Sequence, residues 1–140
     1  MKSKFLKLSK VALFLVCIGF FMPISCNQNG PQIVRYFADT TNIVQSAVFE
    51  HILIAILVAW IFIGATASII FTISHWKNIG NESLIIDWTL LLTSIGSGLL
   101  TLIIEGAAAV NNLEVGAFFI FAGWIISMLF LILATVFQKK

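Results

Sequence analysis

Three stretches of this chain, residues 52–73, 88–104 and 115–137, carry no charged side chain and run mostly apolar. Each approaches or exceeds the ~20 residues with which a helix crosses a ~30 Å hydrocarbon core. A chain of 140 residues would ordinarily make one soluble domain, but 60% apolar and 10% charged residues fall far outside the globular range. The mean hydropathy of +1.06 agrees. The chain belongs in a bilayer.

The placement of charge orients it. Lys2, Lys4, Lys7 and Lys10 precede the first apolar run, Lys77 follows the second, and Lys139 and Lys140 close the chain. With the amino terminus cytoplasmic, every basic residue except Arg35 lies inside, a positive-inside pattern that puts both termini in the cytoplasm. Asp39, Glu50, Glu105 and Glu114 then lie outside, Glu82 and Asp87 inside. Lysines divided between two termini and one connection make no continuous basic face, which excludes a nucleic-acid partner; the lipid bilayer is the partner they suit. Cys17 and Cys26 on one helix would stand ~13 Å apart, too far for a disulfide. Two cysteines also leave no C-x-x-C pair and no Cys/His metal set.

The first apolar segment, residues 8–25, has two readings. Its basic start, apolar heart and Ser25-Cys26 end imitate a lipoprotein signal, which would leave a lipidated Cys26 and three spans. Pro23 and Ile24 fit such a site poorly, whereas Lys7 and Lys10 can snorkel to the headgroups and lengthen an uncleaved helix. The stretches "FFMPISC", Phe20 to Cys26, and "NGPQIV" after it resemble small bacterial four-span membrane proteins. In that group helix one ends in a Phe/Pro/Ser-Cys signature and an external Gly-x-x-Leu/Ile segment follows. The resemblance implies an uncleaved first helix in a bacterial inner membrane and brings no activity with it. Claudin-like proteins fit less well, because they carry a tryptophan motif and two cysteines in the first external loop.

Spans are therefore expected at residues 8–25, 46–74, 84–105 and 115–137. "NQNGP" opens the long external loop as a turn, and Pro31 suits the first turn of a short helix with Ile33, Val34 and Phe37 on one face. "DTTN" reads as turn and cap before the second span, and Asn81 or Ser83 as a cap of the third. Glu82 and Asp87 read as carboxylates near the positive end of that third helix. Short links make successive spans antiparallel neighbours. Asn81-Glu82-Ser83 matches a glycosylation sequon on the cytoplasmic side, where the match is accidental.

Small residues recur at four-residue spacing: Ala55 and Ala59, Gly64 and Ser68, Thr93 with Ser97 and Thr101, Gly123 and Ser127. In lipid such positions let helix backbones approach, so they are expected to be packing seams. A polar pathway along Thr93, Ser97 and Thr101 is the functional alternative. At the outer rim, Glu50, His51, Glu105 and Glu114 fall at one depth. Glu50 and Glu114 sit near helix amino ends that favour a carboxylate, whereas Glu105 ends a helix and is better explained with a partner such as His51. The rim is either a small ion or proton site of the membrane-carboxylate type or a wet, snorkelling interface.

No Ser-His-Asp set meets, no phosphate loop exists, and neither histidine is mid-span where a haem ligand would lie. An enzyme is not expected, nor a cofactor or metal. Small multidrug exporters need an early mid-helix glutamate that this chain lacks, and small fluoride channels often tolerate both orientations. The expectation is an all-α, integral membrane four-helix bundle in the cytoplasmic membrane, both termini inside, with a short external loop helix between its first two spans. Its expected role is that of a non-catalytic accessory or structural subunit binding another membrane protein or a second copy. A small oligomeric ion or proton transporter is the alternative, and a hole-forming lysis protein a third.

Overall fold

The computed structural model describes residues 2–24, 27–39, 45–74, 81–106 and 111–138, the side chains of residues 2, 3, 81–83 and 138 excepted. Among the described residues the chain is all-helical, with α1 (Lys2–Phe21), α2 (Gly30–Ala38), α3 (Val48–Ser74), α4 (Asn81–Glu105) and α5 (Val115–Gln138). A 3-10 turn, Gln45–Ala47, leads into α3. Cys26, most of the "DTTN" turn, the 75–80 connection and residues 107–110 lie outside the described residues, as do the side chains of Asn81, Glu82 and Ser83. By length and composition three segments are fit to cross a membrane: Gln45–Ser74, Leu84–Glu105 and Val115–Phe137. The first helix is not among them, because Lys4, Lys7 and Lys10 interrupt its apolar stretch.

The helix α1 starts inside the lysine-rich segment and stops at Phe21, earlier at both ends than the apolar run read from the sequence. Pro23 accounts for the stop: it lacks an N–H and disfavours helical backbone at Met22. The chain beyond is then stitched to the start of α5. Glu114 N–H donates to Ile24 O at 2.7 Å, Gly116 N–H to Pro23 O at 2.8 Å, and Asn27 N–H to the Glu114 carboxylate at 2.8 Å.

The most extensive helix pair is α1 with α5. It is antiparallel, since Ser9 meets Ser127, Ala12 and Val16 meet Gly123, and Gly19 meets Gly116. A Cβ on Gly116 would stand 2.6 Å from Gly19 O, so only glycines permit this separation. Such close backbone approach supplies dispersion contact along the seam. The pair also stacks Phe5 on Phe137, centroids 5.3 Å apart.

The helices α3 and α4 form the second close pair. Ile54, Val58, Ile61, Ala65, Ser68 and Thr72 make the buried stripe of α3, and Leu84, Asp87, Leu91, Ser94 and Gly98 that of α4. Both follow the alternating three- and four-residue spacing of a coiled-coil seam. Their short link makes them neighbours as expected, whereas α4 and α5 touch sparingly. The physical reason is bulk: Trp124 presses on Gly98, and Trp88 Nε1–H reaches Thr135 at 3.0 Å near the other end, with no small-residue seam between. The helix α5 pairs instead with the glycine-bearing face of α1.

The loop helix expected from Pro31 forms as α2. Asn29 caps it, accepting from Gln32 N–H at 3.0 Å while the Gln32 side chain accepts from Asn29 N–H at 2.9 Å. This reciprocal box satisfies two otherwise orphaned donors. Ile33, Val34 and Phe37 pack on the core, and Gly30 lies flat on the Phe20 ring, where any Cβ would collide.

Candidate functional site

The stripes of α1, α3 and α4 each contribute one polar group to the same layer. Lys10 Nζ stands 2.7 Å from Asp87 Oδ1, their side chains only 5% and 2% exposed. Ser68 bridges them: its hydroxyl accepts from Lys10 Nζ and donates to Asp87 Oδ1 at 3.3 Å. On the adjoining face of α1, Ser9 and Ser127 share a hydrogen bond of 2.9 Å. One buried polar layer thus joins α1, α3, α4 and α5.

This placement corrects two readings. Lys10 does not snorkel outward; it turns into the helix interface. Asp87 does more than sit near the start of α4, for it is buried and ion-paired. The reason is energetic, since an isolated buried ammonium or carboxylate is prohibitively costly and each charge needs the other together with a hydrogen bond. The layer lies roughly 9 Å of helix rise beyond Asn81, where α4 begins.

At the other end of the bundle, where α2 lies, the rim residues separate. Among the described residues no hydrogen bond or ion pair joins Glu50, His51, Glu105 and Glu114 to one another. Glu50 is exposed in the first turn of α3. His51 packs its ring on Phe37, centroids 5.1 Å apart, with Nδ1 buried and unpartnered. Glu114 holds Asn27 N–H, and Glu105 lines a cavity of about 450 Å³. That cavity occupies the space that α4 and α5 leave between them, walled also by Val58 and Ile61 of α3 and covered by Ile33, Tyr36 and Phe37 of α2.

The small residues also divide. Gly64 faces Ser94, whose hydroxyl donates to Ile61 O at 3.2 Å, and Gly123 and Ser127 face α1. Ala55 is buried and Ala59 half-buried. Thr93, Ser97 and Thr101 return their hydroxyls to their own helix, on Thr89 O, Thr93 O and Thr101's neighbour Ser97 O. Cys17 is a free thiol 3.9 Å from the Thr66 hydroxyl.

Comparison with protein families, with curated proteins and with solved structures finds no match to this chain. The functional reading therefore rests on the polar layer, the cavity and the exposed helix faces.

Proposed function

We propose that this chain is a non-catalytic accessory or structural membrane protein: a four-helix bundle in the cytoplasmic membrane, both termini cytoplasmic, that binds another membrane protein or a second copy of itself. In this reading α1 is the fourth span, held in lipid because Asp87 neutralises Lys10 and α5 covers its glycine face. The observation that supports partner binding is the outward flank of α4. Thr89 and Thr93 are exposed there with their hydroxyls turned back on their own helix, and a Cβ on Gly96 would meet nothing within 4 Å. A small, self-satisfied stripe facing lipid is the surface on which a second helix packs closely. Gly96→Leu is expected to abolish co-purification or self-association in native-membrane extracts without lowering the thermal unfolding midpoint of the bundle, since leucine gains helix propensity there as alanine does. A Gly96→Leu protein that still runs in the wild-type assembly sinks this surface, and a monomer that conducts ions sinks the accessory role.

The Lys10–Asp87 pair favours a second reading, a small ion or proton transporter, because ionisable groups within spans commonly mark such paths. Glu105, His51, Glu50 and Glu114 would serve it at the external rim. Proteoliposome flux decides: this reading expects wild-type proton or cation flux that disappears in the Lys10→Met/Asp87→Leu double variant. Equal flux in both proteins removes the pair from any path.

A further inference from the structure

We infer that the cavity at the α2 end is a binding site for a single-chain amphiphile with a cationic head, which lies with its tail toward Trp124 and its head against Glu105. The inference goes beyond the accessory reading and does not rest on it. Its first support is size. About 450 Å³ falls within the range of preformed small-molecule sites and in its lower half, which suits one hydrocarbon chain rather than a two-chain lipid.

The second support is polarity arranged by depth. On α4 the lining runs Gly98, Thr101, Leu102, Glu105, and on α5 it runs Trp124, Phe121, Ile120, Ala117. The two helices are antiparallel with Trp124 on Gly98, so these walls descend together for roughly 10 Å from a polar mouth to an apolar floor. Ile61 and Trp124 make the deep part, level with Gly98, and Val58 and Ile120 line the middle. Gln28, Asn112 and Glu105 stand at the mouth, beside Leu113. A hydrocarbon body displaces water below, and a polar head stays above.

The third support fixes the sign of the head. Glu105 is the last residue of α4, followed by Gly106 in the left-handed conformation (φ 70°) that ends the helix. A carboxylate at a helix carboxyl end opposes the macrodipole. Among the described residues Glu105 has no hydrogen-bonding or ionic partner, although it lines the cavity. A cationic head supplies the missing charge, and the same carboxylate repels an anionic one. The covering helix α2 closes over the site with Ile33, Tyr36 and Phe37, so the ligand enters beneath a lid of apolar and aromatic side chains.

The test is native mass spectrometry of the full chain released from neutral detergent, with dodecyltrimethylammonium, dodecanol and dodecanoate added separately. The expected result is one retained equivalent of the cationic probe, with dodecanol weaker and dodecanoate weakest. Glu105→Gln is expected to weaken the cationic probe roughly tenfold while leaving dodecanol unchanged. Thr101→Phe, which fills the wall, is expected to lower the retention of both. Because Thr101→Phe risks disturbing the helices, its unfolding midpoint is measured alongside, and Glu105→Gln carries the test if that variant fails to fold. Equal retention of the three probes, or a cationic affinity unaffected by Glu105→Gln, overturns the assignment. Retention of a co-purifying two-chain lipid in place of the probe also overturns it.

Discussion

Replacing Asp87 with leucine is expected to destabilise the protein by roughly 3–5 kcal/mol, and replacing Lys10 with methionine by a similar amount, whereas the double variant recovers most of the loss. Each single change strands a charge in a layer where its partner is only a few per cent exposed and water offers no substitute. The Ser68 hydroxyl can hydrogen-bond either survivor, but it cannot neutralise a charge. The double variant leaves no buried charge and puts apolar side chains of similar length into the space. Unfolding of all four proteins in mixed detergent micelles completes a double-mutant cycle, and the expected signature is a coupling energy that approaches the sum of the two single costs. Additive losses would mean that Lys10 and Asp87 do not depend on each other. Ser9 and Ser127 give the internal comparison: their neutral hydrogen bond is worth only about 1 kcal/mol, so Ser127→Ala should be mild.

The three helices long and apolar enough to cross a membrane, and the loop helix, were legible because their signals are local. Charge-free runs at residues 52–73, 88–104 and 115–137 fall within or along α3, α4 and α5. Pro31 with Ile33, Val34 and Phe37 marked α2, although its cap, Asn29 with Gln32, went unread. The polar layer was harder to see because charges at the edges of apolar runs look like boundary markers. A signal was nonetheless present. Lys10 falls between Leu6 and Leu13, and Asp87 between Leu84 and Leu91, at three- and four-residue steps that belong to a buried stripe. A charge on the apolar face differs from a charge at the end of a span, and only the first needs a partner from another helix. The partner itself was out of reach of the sequence, because it depends on which helix α1 packs against. The same dependence hid the cavity, which exists only because α5 leaves α4 for α1.

Gly116→Ala tests that choice of neighbour, and its expected effect is a loss of about 1–3 kcal/mol or more. The new methyl would stand 2.6 Å from Gly19 O, 2.7 Å from Pro23 O and 2.8 Å from Met22 O. All three neighbours are backbone, so no side chain can swing aside. Moving α5 outward instead would break the bonds from Gly116 N–H to Pro23 O and from Glu114 N–H to Ile24 O. Displacement of α1 would also disturb Phe20, whose ring supports Gly30 and stacks on Phe62 of α3, centroids 5.1 Å apart. The natural comparison is Gly96→Ala. That position has open space around it, so alanine should act only through helix propensity and stabilise by about 1 kcal/mol. The same chemical change is thus expected to have opposite signs on α5 and α4, read as unfolding midpoints under one set of conditions. Two shifts of the same sign would mean that the α1–α5 seam is looser than the backbone approach at Gly19 and Gly116 requires. A marked loss at Gly116 alone ties the bundle's order to that seam. The separation of α4 from α5 then follows from α5 packing where its glycines allow it to come closest.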